Sequence, residues 1–157
     1  MARVAIALGS NLGDRERYLH GALAALTSDI SSLRASSFYE TEPVDMPGNP
    51  PRVINAAAVG ETSLSALDLL RRLLAVERDL GRERPYPGAS RTVDLDLILY
   101  GDAIVDEPPE LVVPHPRFRE RLFVLEPLAE IAGDWIDPVT GRTIAQLLET
   151  LRQAGRA

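Results

Sequence analysis

The 157-residue sequence contains no cysteine. Disulfide staples and thiolate metal sites are therefore excluded, and the redox state of the compartment leaves no trace in it. With only 2 histidines, His20 and His115, a structural zinc site lacks ligands. No apolar run is long enough to cross a bilayer. The chain enters "RVAIALGSN" directly, without the charged segment, apolar segment and cleavage site of a secretory signal, so a cytoplasmic protein with no membrane association is expected. A basic excess is also missing. The 17 basic and 23 acidic residues leave a net charge of −6, which argues against broad binding to nucleic acid or anionic lipid. Positive charge is local, between Arg78 and Arg91 and between Arg117 and Arg121.

No linker, repeat or low-complexity tail divides residues 1–157, and one domain is expected. Arg3 to Leu8 reads as a buried strand ending at Gly9, and Leu19, Ala22, Leu23 and Leu26 give the following segment a helical stripe. Leu33 to Tyr39 and "RVINAAAVGET" read as two extended runs able to pair. "SALDLLRRLLAVERDLG" is an amphipathic helix closed by Gly81. After an acidic strand and a turn at Gly101, a helix is predicted near Arg117 to Ile131, interrupted around Pro127, and a last one over Ile144 to Arg152. The order β-α-β-β-α-β suits an α+β, ferredoxin-like core: a mainly antiparallel sheet with helices packed on one face and further elements appended.

The acidic strand "RTVDLDLILYG", Arg91 to Gly101, carries the strongest chemical signal. Alternation puts Val93, Leu95, Leu97 and Leu99 on one face and Asp94 with Asp96 on the other, roughly 7 Å apart. Two carboxylates aimed the same way on an apolar element either form the wet acidic face of an amphipathic strand or call for a cation or a cluster of donors between them. Arg82, Arg84 and Arg91 precede the strand in a turn-rich loop with Pro85, Pro87 and Gly88. Acids suited to a metal beside bases suited to phosphate make the pattern of a nucleotide site.

The blocks "ALGSNLGD", "FYETEPV", "INAA", "GRER", "RTVDLDLILYG" and "VPHPRFRERLFVLEPLAEIA", in that order from about residue 4 to about residue 132, resemble the 6-hydroxymethyl-7,8-dihydropterin pyrophosphokinase family. The resemblance implies an ATP-dependent diphosphokinase of folate biosynthesis. Such an enzyme transfers pyrophosphate from ATP to the hydroxymethyl oxygen of the dihydropterin, with AMP as the other product. It implies two Mg²⁺ ions held by Asp94 and Asp96, with Arg82 and Arg91 completing the catalytic set. Glu77, Arg84, His115 and Arg121 are implied on the nucleotide side. Thr41, Pro43, Val44, Val53, Asn55 and Phe123 are implied around the pterin. The expected partners are the two substrates, with no nucleic acid or membrane, and the expected state is a monomer.

Taken alone, the residues leave alternatives open. Asn55 could hold a strand end, Phe123 could be core, and Glu77 could form a helix-surface ion pair. "GSN" lacks the Gly-Lys-Ser/Thr ending of a phosphate loop and reads as structural support. Val53 stands where many members of the family place an aromatic ring, Val112 where threonine is common, and Gly88 with Ala89 and Ser90 where some have a Trp-Gly-Pro-like run. Two rivals remain: a nucleotidyltransferase related to polymerase β, disfavoured because Ser10 lies far from Asp94, and a non-catalytic Mg-nucleotide-binding ferredoxin-like module.

Overall fold

The computed structural model describes residues 1–11, 14–41, 52–81 and 93–155. Its centre is β1 (Ala2–Ser10), in which Val4 to Leu8 are buried without alternation. Burial on both faces requires cover on both. After β1 come α1 (Arg15–Leu26), β2 (Ser31–Ala35), β3 (Tyr39–Thr41), β4 (Val53–Thr62), α2 (Ala66–Asp79) and β5 (Asp94–Tyr100). The β6 (Val105–Glu107) and β7 (Leu111–Val113) hairpin follows, then a 3-10 turn at Phe118–Glu120, α3 (Leu122–Ala132) and α4 (Ile144–Ala154).

The main sheet has the order β2-β4-β1-β5, with β3 on the far end of β4, and its pairings are antiparallel. This is the expected ferredoxin-like sheet, with β2 and β3 together filling the place of one broken strand. The break follows from Ser36, whose Oγ takes the Ala57 N–H at 2.9 Å while its N–H donates to the Ala57 carbonyl at 2.8 Å. A side chain substitutes for the ladder there, and the run expected from Leu33 to Tyr39 is interrupted.

On one face, Val4, Ile6, Leu8, Ile54, Leu95 and Leu97 meet Leu19 and Leu26 of α1 and Leu69 and Leu73 of α2. On the other, Ala5, Ala7, Ala57 and Val59 meet Leu125 and Leu128 of α3 and Ile144 and Leu148 of α4. The expectation of helices on one face is thus extended: the appended C-terminal helices cover the second. Ala5 and Ala7 of β1 and Ala57 of β4 leave room for α3 to lie close. Pro127 does not interrupt this helix; it is buried within it. The break falls at Arg121, extended at φ −118°, ψ 104°, which separates the 3-10 turn from α3.

Caps set the other helix starts. Asp14 and Ser65 accept from the N–H groups of Arg17 and Asp68, and Thr143 forms a reciprocal box with Gln146; each is worth about 1 kcal/mol. At Gly60 in β4 the packing admits no side chain, because a Cβ would lie 2.7 Å from the Ser31 carbonyl oxygen and closer still to Ile30. Gly60→Ala is therefore expected to cost about 1–3 kcal/mol by overpacking. A lowered urea midpoint at unchanged slope would show it; an unchanged midpoint would mean that β2 yields freely.

Candidate functional site

Cross-strand partners share a face, so register decides which side chains meet. β1 pairs Gly9 with Asn55 and Ala7 with Ala57 on one side, and Gly9 with Asp94 and Ala7 with Asp96 on the other. β3 adds Tyr39 opposite Asn55 and Thr41 opposite Val53. One row across the α3 side of the sheet therefore reads Tyr39, Asn55, Gly9, Asp94. Asp94 and Asp96 are half-buried at the sheet's edge strand, on the same face as expected, with Val93, Leu95 and Leu97 on the other.

Leu99 departs from that expectation. The register shifts between Ala5 and Ile6, so that Ala5 faces Leu99 and Ile6 faces Leu97, with Ile98 as the extra residue. The bulge turns Leu99 over to the α3–α4 side, where it packs with Ile98. It also serves the site: the His115 N–H donates to the Ile98 carbonyl at 2.9 Å. Burial holds the His115 imidazole below its ordinary value; the Asp96 carboxylate opposes this, and the guanidinium groups of Arg121 and Arg117 reinforce it. His115 Nδ1 accepts from the Arg117 N–H at 3.2 Å.

Glu77 is 3% exposed, which removes the reading as a helix-surface ion pair. Its Oε2 accepts from the Leu95 N–H at 2.7 Å, and so grips β5 between the two aspartates. Asn55 Nδ2 donates to Thr41 Oγ1 at 2.7 Å, joining two of the residues expected around one ligand. Phe123 sits half-buried in the first turn of α3 against the second core cluster, with the Arg121 guanidinium 5.6 Å from its ring centre. It is thus both core-supported and adjacent to a candidate phosphate contact. Pro43, Val44, Arg82, Arg84 and Arg91 lie outside the described residues.

A cleft of about 290 Å³ opens between α2, β5 and the β6–β7 hairpin, lined by Leu70, Leu97, Leu111, Val112, Asp96 and His115 among others. Of its apolar walls, only Val112 was singled out from the sequence. Leu70 belongs to the apolar stripe of α2, and nothing local separates a leucine facing a cleft from one facing core. The proximity of Leu111 and Val112 to His115 in sequence was the available signal. Among the described residues no group of three or more His, Asp or Glu side chains forms a ready-made metal cage.

Beneath the segment from His115 to Arg121 lies a buried ion pair. Asp137, fully buried, accepts from Arg119 Nε and Nη2 at 2.6 and 2.9 Å, from Thr140 Oγ1 at 2.8 Å and from the Val139 N–H at 3.0 Å. The Arg119 guanidinium also covers the Phe118 ring at 4.7 Å. The turn carrying the candidate nucleotide residues is in this way fastened to the loop between α3 and α4.

The family model described as 7,8-dihydro-6-hydroxymethylpterin-pyrophosphokinase matches residues 5–133. A 2-amino-4-hydroxy-6-hydroxymethyldihydropteridine pyrophosphokinase of Synechocystis is 44% identical over 146 residues, covering 92% of this chain and 73% of the relative. One of Bacillus subtilis is 45% identical over 128 residues, covering 80% and 75%. The structure of wild-type Plasmodium falciparum HPPK-DHPS matches with a TM-score of 0.76 over 95% of this chain and 44% of that one; at 13% identity the likeness shows the fold.

The clamp at Asp137 has a pH signature. Burial pushes its carboxyl up, but the hydrogen bonds from Arg119, Thr140 and Val139 prevail and hold it below the usual carboxylate range. A depressed folded-state value means stabilisation fully present above the unfolded value, about 4, and lost as pH falls through the folded one. Asp137→Asn should therefore cost about 3 kcal/mol at pH 7, with the gap to wild type narrowing below about pH 4. Denaturant titrations at both pH values measure it; a gap constant with pH would deny the ionised clamp.

Proposed function

Because the chain belongs to the 7,8-dihydro-6-hydroxymethylpterin-pyrophosphokinase family, we propose that it transfers the pyrophosphoryl group of ATP to the hydroxymethyl oxygen of 6-hydroxymethyl-7,8-dihydropterin, in folate biosynthesis. The hydroxyl oxygen forms a bond to the β-phosphorus, the bond from that phosphorus to the α–β bridging oxygen breaks, and AMP leaves. The hydroxyl proton is released. The observation that carries this reading is the row running from Asn55 across Gly9 to Asp94, which sets an amide and a pair of carboxylates on one face.

Two carboxylates, with no third acidic ligand grouped with them among the described residues, suit Mg²⁺, which keeps waters and takes phosphate oxygens for the rest of its shell. Asp94 and Asp96 would hold two such ions, which would neutralise charge on the transferred group. The chain's own residues do the positioning on which phosphoryl-type transfer depends. Glu77 fixes the strand between the acids. His115 and Arg121, with Arg82, Arg84 and Arg91, supply donors for the triphosphate. The cleft walled by Leu70, Leu97 and Leu111 offers an apolar slot for the adenine base. Thr41 and Asn55, with Pro43 and Val44, take the polar edge of the pterin, between Phe123 and the aliphatic wall of Val53. No helix among the described residues is long and apolar enough to cross a membrane; we propose a cytoplasmic monomer.

The deciding experiment follows AMP. It should form from Mg-ATP only when the dihydropterin is present; Mg-ATP binding without such turnover would instead favour the non-catalytic module. Asp94→Ala and Asp96→Ala should each lower turnover by about a thousandfold or more with the fold intact. Rates within tenfold of wild type at saturating Mg²⁺ would sink the metal assignment.

For the pterin platform, Phe123→Ala should weaken a dihydropterin analogue by about 1 kcal/mol more than Val53→Ala does. A non-hydrolysable ATP analogue should bind both variants as it binds wild type. Equal losses for the two ligands in Phe123→Ala would make that ring core alone.

A further inference from the structure

β3 is the shortest strand of the main sheet and pairs with β4. So short a strand makes few ladder bonds, and side chains must help to set its place. Tyr39 and Thr41 lie on one of its faces and Glu40 on the other. On the Glu40 side, Arg15 of α1 approaches the carboxylate at 3.9 Å. On the Tyr39 side stands Glu130, near the end of α3. Its Oε2 accepts from the Ser37 N–H at 2.9 Å and from Ser37 Oγ at 3.1 Å, and its Oε1 accepts from the Tyr39 hydroxyl at 2.6 Å. An ionised acceptor makes such bonds short and strong.

Glu130 is exposed, and α3 does not rely on it for packing. Val124, Leu125, Leu128 and Ala132 bury the helix against the sheet, and Arg34 of β2 donates to the Ile131 carbonyl at 3.1 Å. What the carboxylate adds is a link to β3. Thr41, two residues beyond Tyr39, takes the Asn55 amide at 2.7 Å. Phe123 lies about two turns before Glu130, on the same side of α3. Glu130 therefore joins two groups of candidate pterin contacts, one on its own helix and one on the strand it holds.

We propose that Glu130 is a positioning residue: acting through Ser37 and Tyr39, it sets β3 against α3 and so holds Thr41 and Asn55 at a fixed separation from the Phe123 ring. It touches no reacting atom. The inference rests on the pterin assignment of the preceding subsection and adds which residue outside the site keeps its walls in register.

Glu130→Ala should weaken a dihydropterin analogue by about fivefold or more, leave a non-hydrolysable ATP analogue within about twofold of wild type, and leave turnover at saturating substrates within about threefold. A residue that served the fold alone would do the reverse: fewer molecules would be active, while those remaining bound both ligands normally. Glu130→Gln keeps one acceptor oxygen and should recover part of the loss. Tyr39→Phe should weaken the analogue less, and should add nothing to Glu130→Ala in the double variant, because the phenol acts through that carboxylate. Undiminished analogue binding in Glu130→Ala, equal losses for both ligands, or additive losses in the double variant would overturn the proposal. Where Glu130→Ala does not fold, Tyr39→Phe decides: a loss confined to the dihydropterin analogue supports the proposal, and unchanged binding overturns it. Failure of wild type to form AMP with the dihydropterin would instead strike the assignment of function, while the titrations would still read the link, so the two ideas fail separately.

Discussion

Everything at the candidate site depends on the register of β1 against its two neighbours. A strand shifted by one residue exchanges its faces. Such a slip would drive Gly9 and Ala7 toward α1 and α2 and bring Leu8 beneath α3. The sequence opposes that slip through size. Val4, Ile6 and Leu8 fill the space under α1 and α2, whereas Ala5 and Ala7 leave α3 room to approach. The same alternation that builds the core therefore lines up Asn55, Gly9 and Asp94. Packing energy and site geometry are one constraint.

β5 occupies the edge of the sheet, where unpaired backbone groups invite another strand. Here the edge is used. Glu77 takes the Leu95 N–H, the bulge presents the Ile98 carbonyl to His115, and the cleft opens alongside. A central strand would have both sides engaged in ladders and could offer none of these contacts. The cost is a buried carboxylate at Glu77 close to two more on β5, and the chain concentrates arginines nearby in sequence, at Arg82, Arg84 and Arg91, against an overall charge of −6.

The alternation of "VDLDL" made the shared face of Asp94 and Asp96 legible, because a period of two has only two outcomes. It could not reveal the bulge at Ile98, since one inserted residue leaves no compositional trace in an apolar run; hence Leu99 was assigned to the wrong face. The break at Ser36 was hidden for a related reason: a serine in a strand becomes a ladder substitute only when a specific N–H, that of Ala57, lies opposite. Proline at position 127 was too strong a signal. Helix interruption is a local rule, and tertiary burial overrode it. The extent of the family resemblance, read as about residues 4 to 132, agrees with the matched span of 5–133. The leucines of the cleft needed coordinates, because hydrophobicity says that a side chain avoids water without saying what it meets instead.

α3 joins the two halves of the site. Its first turn carries Phe123, and near its other end Glu130 accepts from the Ser37 N–H at 2.9 Å and from the Tyr39 hydroxyl at 2.6 Å. The hydrogen bond to Glu130 pushes the Tyr39 phenol up to about 12 and holds the Glu130 carboxyl below its usual range, so the pair keeps its donor and acceptor states across neutral pH. Tyr39 pairs with Asn55 of β4, two residues before Thr41. The helix that covers the site face is thus tied to the strand bearing the candidate pterin contacts. Arg121, at its N-cap, adjoins the segment fastened by Asp137. A displacement of α3 would move the Phe123 ring, the β3 contacts and the candidate phosphate donors together. Their relative positions are accordingly set by one buried apolar face, that of Val124, Leu125 and Leu128 on the alanines of β1 and β4.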